Sequence, residues 1–206
     1  MIRPASRNLG WAAGIALMAI LAGPATAQDI APHEMPYAGE AEPLSIARWV
    51  STTGDAGGRP FIIVDKQSAQ VLAFDSAGTL VGDSAALLGM AIGDVSAPGI
   101  GTMRLADIGP ELRITPAGRF DAHLGQNLAG AQILWVDYDE ALSLHAVVTG
   151  TVRERRHDRL VSPSPLDNRI SYGCINVPAA FFTGIVVPLF AANNGVVYIL
   201  PDRLPT

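Results

Sequence analysis

The residues with the clearest potential for chemistry lie in the stretch DNRISYGCINVP, at positions 167–178. This stretch contains Cys174, the sole cysteine of the 206-residue chain. An unpaired cysteine is commonly a small buried hydrophobe, and in an oxidising compartment it is otherwise paired with another chain or kept free for chemistry. Gly173 permits a tight turn whose backbone N–H groups can face a developing oxyanion. These neighbours favour a nucleophilic thiol for acyl transfer over the alternative of an inert core residue.

A nucleophilic cysteine needs a base, usually a histidine, that takes its proton or lowers its pKa. His145 lies in LSLHAVV, where strand alternation places Leu142 and Leu144 on one face and Ser143 and His145 on the other. A lone histidine on a strand is commonly structural, but the Gly-Cys pair makes His145 the first candidate for the base. The other three histidines are predicted to lie at the surface: His33, His123 and His157.

Short runs of apolar or alternating residues must supply the scaffold for these side chains. Gly, Asp and Ser interrupt the runs, which is typical of a sheet protein. The predicted strands are PFIIVD (60–65), AQVLAFD (69–75), TLVGDSAALLG (79–89), AQILWVDY (131–138), LSLHAVVTG (142–150) and VVYIL (196–200).

The segment PLSIARWVSTTGD (43–55) predicts a short helix. Its apolar residues Leu44, Ile46, Ala47 and Val50 recur near helical spacing, and GDAGG ends the pattern.

A second helix is predicted in PAAFFTGIVVPLFAANNG (178–195). Pro178 suits its first turn, Asn194-Gly195 suits its end, and Pro188 is expected to kink it. The whole pattern therefore predicts a mainly β fold, a sandwich or open barrel with one or two short helices.

The first 27 residues have the pattern of a secretory signal peptide. Arg3 and Arg7 precede the apolar run LGWAAGIALMAILAG, and the small-residue site Ala25-Thr26-Ala27 follows. A signal anchor is the competing interpretation, but the run is short for a membrane span of ~20 residues. Cleavage removes two of the 14 basic residues and none of the 19 acidic ones, which leaves a net charge of −7. That charge disfavours nucleic acid and anionic membrane surfaces as partners.

The predicted organisation has four parts. They are a signal peptide (1–27), a polar N-terminal segment with a short helix (28–59), one catalytic domain (60–201) and a short tail (202–206). The roughly 180 residues left after cleavage match a single domain.

From about Pro60 to Pro201, the sequence resembles the catalytic domain of the L,D-transpeptidases, the cysteine acyltransferases of bacterial peptidoglycan. The family signature is a histidine on a strand, followed downstream by Ser/Thr-His-Gly-Cys, a hydrophobic residue, and Asn or Arg. Upstream, TPAGRF (115–120) resembles the family's TPxGxF segment, and FIIVDKQSAQVLAFDSAGTLV (61–81) resembles its opening hairpin. In this chain the signature reads His145, and then Ser171, Tyr172, Gly173, Cys174, Ile175 and Asn176.

The resemblance implies a β-sandwich with the cysteine at the mouth of a cleft, and a ping-pong acyl transfer. The Cys174 thiolate attacks the amide between the third residue of a peptidoglycan stem tetrapeptide and its terminal D-alanine, with His145 as general base and then general acid. Backbone N–H groups of Tyr172, Gly173 and Cys174 stabilise the oxyanion. The acyl group then passes to an amine of another stem as a 3→3 crosslink, to a lysine-bearing acceptor protein, or to water.

The same resemblance implies a periplasmic or cell-wall location, peptidoglycan stem peptides as partners, and no metal or organic cofactor. Nucleophile, base and oxyanion donors are all protein groups.

Two features depart from the family pattern. Position 172 is tyrosine where the family usually has its second histidine, and the interval of 29 residues from His145 to Cys174 is longer than usual. The extra length, GTVRERRHDRLVSPSPLDN (150–168), is either a solvated loop or a lid that contacts a substrate carboxylate.

Three further residues are candidates for substrate binding. Arg169 is either a contact for a stem carboxylate or one half of a structural ion pair. Ser171 belongs to the motif around the nucleophile. Asn176 can hydrogen-bond the backbone near the nucleophile, because its amide offers both a donor and an acceptor.

Three hypotheses of different classes follow. The first is an active L,D-transpeptidase, with hydrolysis of the same bond by an L,D-carboxypeptidase or endopeptidase as its variant. The second is a catalytically degenerate wall-binding relative, which an unreactive thiol would favour. The third, a thiol redox protein, is disfavoured because the chain has no CxxC motif and no resolving cysteine. The acyl acceptor and the third stem residue stay open.

Overall fold

The computed structural model describes residues 42–148 and 150–202. The predicted signal peptide, His33 and the last four residues lie outside the described residues. Among the described residues, no helix combines the length and the apolar character needed to cross a membrane.

In chain order the elements are α1 (Pro43–Thr53), β1 (Phe61–Asp65), β2 (Gln70–Phe74), β3 (Leu80–Ala85), β4 (Leu88–Gly89), β5 (Gly118–Gln126), β6 (Gln132–Asp137), β7 (Leu142–Ala146), α2 (Arg156–Leu160), β8 (Arg169–Ser171), β9 (Ile175–Val177), α3 (Ala179–Phe181), a π-helical turn (Phe182–Val186), α4 (Val187–Phe190) and β10 (Gly195–Ile199).

Eight strands form one sheet in the order β3-β2-β1-β10-β5-β6-β7-β9, and β4 pairs with β8 in a second, two-stranded sheet. In the large sheet, β1 is parallel to β10 and β7 is parallel to β9, whereas the other neighbours are antiparallel. Beyond β3 the chain reaches β9, where the backbones of Leu87 and Asn176 exchange hydrogen bonds of 2.7 and 2.9 Å. This bridge brings the two edges of the sheet together into a nearly closed barrel. The predicted mainly β fold with short helices is confirmed.

The large sheet buries apolar side chains on both faces, and β1 shows both. Ile62 and Val64 belong to a core that the strands share with the C-terminal helix. Phe61 and Ile63, which alternate with them, pack on the opposite face in a second cluster that includes α1. The run of apolar residues in β1 is continuous because neither face meets water.

Helix α1 covers one face of the sheet with the residues that its spacing predicts: Ile46, Ala47 and Val50 are buried. The predicted helix is present, and Leu44, the fourth apolar residue of the pattern, is 52% exposed. At ~100° per residue, Leu44 lies about 110° around the helix from the centre of that stripe. Because α1 shares a core with β1 and β10, it packs with the domain that was predicted to begin only at residue 60.

The helix predicted after Pro178 is present, but it is shorter and less regular than the pattern indicates. Pro178 precedes the helix as its N-cap, the helix ends at Phe190, and Gly195 already belongs to β10. Pro188 has no N–H, and its ring clashes with the carbonyl of the residue four positions earlier, Gly184, in a regular helix. The wider π-helical turn directly before it accommodates this defect.

The sequence pattern does not predict three of the strands, β5, β8 and β9. The β5 segment, GRFDAHLGQ, mixes Gly, Asp and His with few apolar residues, and β8 and β9 have only three residues each. Runs this short or this polar carry no recognisable alternation. Yet β8 and β9 flank Cys174. Two of the three strands that the sequence pattern does not predict are therefore the ones that position the thiol.

Candidate active site

Cys174 lies in the turn between β8 and β9 and is half-buried. Gly173, the residue before it, has a φ of 134°, which favours glycine. A Cβ at this position would come within 2.7 Å of the carbonyl oxygen of Ile114. The glycine therefore allows the turn to lie directly against the loop that precedes β5.

Hydrogen bonds inside the turn fix the backbone around Cys174. Ser171 Oγ donates to the carbonyl of Cys174 at 2.7 Å and accepts the N–H of Gly173 at 3.1 Å. Asn176 Nδ2 donates to the carbonyl of Cys174 at 3.1 Å. Ser171 is buried, so its hydroxyl holds the turn instead of contacting substrate as expected. The N–H of Gly173, which was expected to serve as an oxyanion donor, is bound to Ser171 Oγ in this structure. The N–H groups of Tyr172 and Cys174 have no hydrogen-bond partner among the described residues.

Thr115, the first residue of TPAGRF, anchors the turn from the opposite side. Its Oγ1 donates to the carbonyl of Gly173 at 2.7 Å and accepts the N–H of Gly89 at 2.8 Å. In a planar trans peptide, a carbonyl and the following N–H point in opposite directions. Because Thr115 binds the Gly173 carbonyl, the N–H of Cys174 is turned away from this loop. The TPAGRF motif was identified by its resemblance to a family segment alone, and the hydrogen bond from Thr115 to Gly173 gives it a structural role.

Lys66 links this anchor to a buried group of charges. Its Nζ donates to the carbonyl of Thr115 at 2.8 Å and to Asp94 at 2.7 Å, and it lies 3.4 Å from Asp202. The side chain of Lys66 is fully buried. Arg169 pairs with Asp202 and donates to the carbonyl of Lys66 at 3.0 Å. We call Lys66, Asp94, Arg169 and Asp202 the ion cluster.

The ion cluster shows which partners Arg169 has in this structure. Its side chain is 8% exposed and bound to Asp202, so the structure gives it the ion pair. Arg169 Nη1 is buried without a hydrogen-bond partner among the described residues. Asp202, which was predicted to begin a tail, is an integral part of the domain.

Parallel pairing of β7 with β9 brings His145 beside Cys174. His145 stands opposite Asn176 in the strand register, and its imidazole lies close enough to the Cys174 side chain for each group to shift the pKa of the other. Nδ1 of His145 lies 2.8 Å from the carbonyl oxygen of Ala146. Because a carbonyl only accepts, Nδ1 carries the proton in the neutral ring, and Nε2 is the accepting nitrogen, 3.4 Å from Nδ2 of Asn176. This is the tautomer that a general base requires.

Two further groups contact the sulfur. Ser143 lies on the same face of β7 as His145, as strand alternation predicts, and donates its hydroxyl to Sγ at 3.5 Å. The carbonyl oxygen of Ala141 lies 3.6 Å from Sγ and accepts the S–H. Ala141 has a φ of 52°, which is uncommon for a residue with a Cβ. The turn before β7 therefore holds the residue that supplies this carbonyl in an unusual backbone conformation.

The hydrogen bonds around the thiol shift both pKa values toward a charged pair. Burial alone raises the pKa of Cys174 and lowers that of His145. The hydrogen bond between the two side chains, with further bonds from Ser143 to the sulfur and from the imidazole to Ala146, outweighs burial. The pKa of Cys174 is therefore below its ordinary value and the pKa of His145 above it. Both directions favour thiolate and imidazolium at neutral pH.

A cavity of about 270 Å³ opens in front of Cys174. Gly173 and Cys174 form its floor. Its walls come from Tyr172, from the turn between β6 and β7 and from the loop between β4 and β5, which contains three short 3₁₀ turns between residues 100 and 112. Among the described residues that line it, Glu140 is the one with a charged side chain. The apolar lining residues are Ile100, Met103, Leu105, Ile108, Ile114, Pro116, Ala141 and Leu142.

Tyr172 forms part of the cavity wall and is held by Arg113. The Cζ atom of Arg113 lies 3.8 Å above the centroid of the Tyr172 ring, and its Nε and Nη2 donate to the carbonyl of Ile108 at 3.1 and 3.0 Å. A guanidinium favours a neutral, electron-rich ring beneath it and would repel a protonated imidazole. The sequence carries no signal for this contact, because Arg113 and Tyr172 lie far apart in the chain.

The long segment 150–168 lies at the surface but contacts the site at one point. It folds into a 3₁₀ turn, α2 and a second 3₁₀ turn, and Arg156 Nη1 donates to Asn176 Oδ1 at 2.8 Å. Sequence analysis did not single out Arg156. His123 and His157 are exposed, as predicted. In the part of the chain that the structure describes, no group of three or more His, Cys, Asp or Glu side chains could hold a metal ion.

No model of a known protein family matches the chain, and no curated protein matches it. Among solved structures, the chain is similar to an LD transpeptidase, LdtMt1, in complex with imipenem, with a TM-score of 0.36 and 14% sequence identity. The similarity covers 68% of this chain and 58% of that one. The chain thus spans less than two thirds of the length of that structure.

Replacing Lys66 by Met should destabilise the fold through the ion cluster. The change removes the ammonium beside the buried carboxylate of Asp202 and the partly exposed carboxylate of Asp94, and the loss of one partner of a buried pair costs about 3–5 kcal/mol. Urea unfolding, followed by tryptophan fluorescence, measures the loss. Arg104→Met is the control, because the Arg104–Asp107 pair is largely exposed and should change stability by less than about 1 kcal/mol. Equal midpoints for the two variants would contradict the structural role of the cluster.

Alkylation of Cys174 by iodoacetamide should report the charged pair. Since the thiolate is the reactive form, the rate rises with pH through the thiol pKa, and we expect an inflection below the ordinary ~8.5. In His145→Ala, burial is no longer outweighed, so the inflection should move above ~8.5 and the rate at neutral pH should fall by ~10²-fold. His123→Ala should match the wild type. An unchanged profile in His145→Ala would show that another group activates the thiol.

Proposed function

We propose that the protein is a cysteine acyltransferase of the L,D-transpeptidase type that acts on peptidoglycan stem peptides. The observation that carries the proposal is the position of His145 beside Cys174, which lines an open cavity, with Nδ1 of His145 bound to the carbonyl of Ala146. A thiol activated by a base in this way attacks acyl carbons. The motif order, from TPAGRF through His145 to Ser-Tyr-Gly-Cys, favours the L,D-transpeptidases among cysteine acyltransferases.

In the first half-reaction, Sγ of Cys174 bonds to the carbonyl carbon of the third stem residue. The carbonyl oxygen becomes an oxyanion, for which the unoccupied N–H groups of Tyr172 and Cys174 are the candidate donors. The C–N bond then breaks, and the imidazolium of His145 gives its proton to the departing amino group of D-alanine. The products are free D-alanine, a thioester on Cys174 and a neutral imidazole.

In the second half-reaction, a neutral amine attacks the thioester carbon and His145 takes its proton. The C–S bond breaks, Cys174 leaves as the thiolate, and the charged pair is restored. Water in place of the amine gives hydrolysis. The carboxylate of Glu140 in the cavity wall attracts a protonated amine, which releases one proton to solvent before it attacks. This favours an amine acceptor, on a second stem or on a lysine-bearing protein, over water.

The proposed substrate lies outside the cytoplasmic membrane. The signal-peptide pattern of residues 1–27 agrees with export to the periplasm or cell wall, and the acidic chain agrees with the absence of nucleic acid or membrane partners. The corresponding biological role is cell-wall biogenesis and the maintenance of cell shape. No cofactor is required by the steps above.

Tyr172 is the observation that favours a second candidate, a catalytically degenerate relative that binds the wall. A phenol offers a hydroxyl in place of a basic ring nitrogen, so it cannot replace an imidazole in proton transfer. The backbone N–H of position 172, however, is the same whichever side chain is present. The two candidates therefore differ in whether the Tyr172 side chain limits turnover.

Sacculi rich in tetrapeptide stems test the proposal directly. After incubation with the purified protein and digestion with a muramidase, mass spectrometry should detect 3→3 crosslinked muropeptides, or tripeptide stems if water is the acceptor. Cys174→Ala should yield neither product. A carbapenem should form one covalent adduct with the wild type and none with Cys174→Ala. The absence of both products and adduct with folded wild-type protein would refute the assignment.

Substitutions at Tyr172 separate an active enzyme from a degenerate one. We expect Tyr172→His to change muropeptide turnover by less than about tenfold, because the backbone donor is retained. Tyr172→Phe should behave like the wild type, since the ring that packs beneath Arg113 remains. Tyr172→Ala should cost more, because it opens the cavity wall. If Tyr172→His instead raises a barely detectable turnover by several orders of magnitude, the wall-binding candidate is the better description.

A further inference from the structure

The side chain of Asn176 contacts three groups. Two of them, the carbonyl of Cys174 and the ring of His145, belong to the site, and the third, Arg156, belongs to the long segment 150–168. Asn176 Nδ2 donates to the carbonyl of Cys174 at 3.1 Å and lies 3.4 Å from Nε2 of His145. Its Oδ1 accepts from Arg156 Nη1 at 2.8 Å. Asn176 is 1% exposed, so water does not compete for these positions.

A carboxamide is nearly symmetric in shape, and its neighbours decide which end is which. A guanidinium has donors and no acceptor, so Arg156 binds Oδ1 and leaves Nδ2 to face Cys174 and His145. In the flipped orientation, Oδ1 would meet the carbonyl of Cys174, which is a contact between two acceptors. It would also accept the N–H of the His145 imidazolium and so compete with the thiolate for that proton.

Arg156 is itself fixed by the segment that carries it. Its Nε donates to Glu154 at 2.6 Å, and its side chain is 10% exposed. The carbonyl of Glu154 in turn accepts from Arg159 at 2.8 Å, and Arg159 donates to the carbonyl of Asp167 at 2.6 Å. These hydrogen bonds within the segment fix its conformation and direct the Arg156 guanidinium toward Asn176.

We propose that Arg156 is a positioning residue, which acts through Asn176 to keep the imidazolium of His145 paired with the thiolate of Cys174. The inference rests on the proposed function of Cys174 as the nucleophile. It assigns the segment 150–168 the task of orienting the site, instead of the lid or solvated loop considered from the sequence. The charged groups near the pair are Arg156 and its partner Glu154, together with Glu140 in the cavity wall.

The test measures the rate of Cys174 alkylation by iodoacetamide against pH. Arg156→Met keeps the length of the side chain and removes its donors, so we expect the inflection to move to higher pH and the rate at neutral pH to fall about tenfold. Loss of the charge by itself favours the imidazolium, because the Arg156 charge lowers the pKa of His145. Arg156→Lys keeps one donor and should recover part of the rate. Arg155→Met is the matched control, since Arg155 pairs with Asp158 at the surface.

A double-mutant cycle with Asn176→Ala distinguishes positioning from other roles. If Arg156 acts through Asn176, Arg156→Met causes no further loss in the Asn176→Ala background. The same loss in both backgrounds, or a loss in Arg155→Met equal to that in Arg156→Met, would overturn the inference. So would a wild-type profile in Arg156→Met. Alkylation needs no peptidoglycan, so a protein without muropeptide activity could still show this coupling, and the two failures are distinguishable.

Discussion

The parallel pairing of β7 with β9 is the constraint on which the rest of the structure depends. It sets His145 opposite Asn176, and therefore beside Cys174, across 29 residues of chain. A slip of one residue would turn His145 into the core and bring Leu144 toward the sulfur. Because β9 has three residues, its own ladder is too short to secure the register. The backbone bridge to Leu87 on its other side supplies the missing support.

Neutral hydrogen-bonding groups orient the turn around Cys174 and lower the pKa of its thiol. The hydroxyls of Ser171 and Thr115 occupy the carbonyls of Cys174 and Gly173, so the turn has its acceptors bound within the protein and its free N–H groups on the other side. The hydroxyl of Ser143 and the imidazole of His145 then compensate for burial of the sulfur. Formal charges stand further back, in the ion cluster that holds the carbonyl of Thr115. Among the described residues that line the cavity, Glu140 is the one with a charged side chain, so the lining is otherwise neutral.

The sequence was sufficient to propose Cys174 and His145 as nucleophile and base, because residue type, the glycine before Cys174 and the alternation around His145 are local signals. The directions in which the Ser171 hydroxyl, the Gly173 N–H and the Arg169 guanidinium point were not predictable from the sequence. Composition does not reveal whether a polar group faces the cavity or the core. Contacts such as Thr115 with Gly173, and Arg113 with Tyr172, join residues that are distant in the chain and leave no periodic pattern. The same limit applies to the strands: those with clear alternation were predicted, whereas the ones that flank Cys174 are too short to show it.

The position of β10 has a consequence for the order in which the protein can fold. Phe61, in the first strand, lies opposite Val196, in the last one, so the middle of the sheet is formed by the two ends of the domain. A chain that is synthesised or exported from its N-terminus can form the β1–β2 hairpin early, but the other edge of β1 stays unpaired until β10 arrives. During that interval the chain presents an apolar strand edge, which is a template for aggregation. The complete sheet can therefore form only after β10 has emerged, whereas the pairing of β7 with β9, which sets His145 beside Cys174, involves residues that all precede β10.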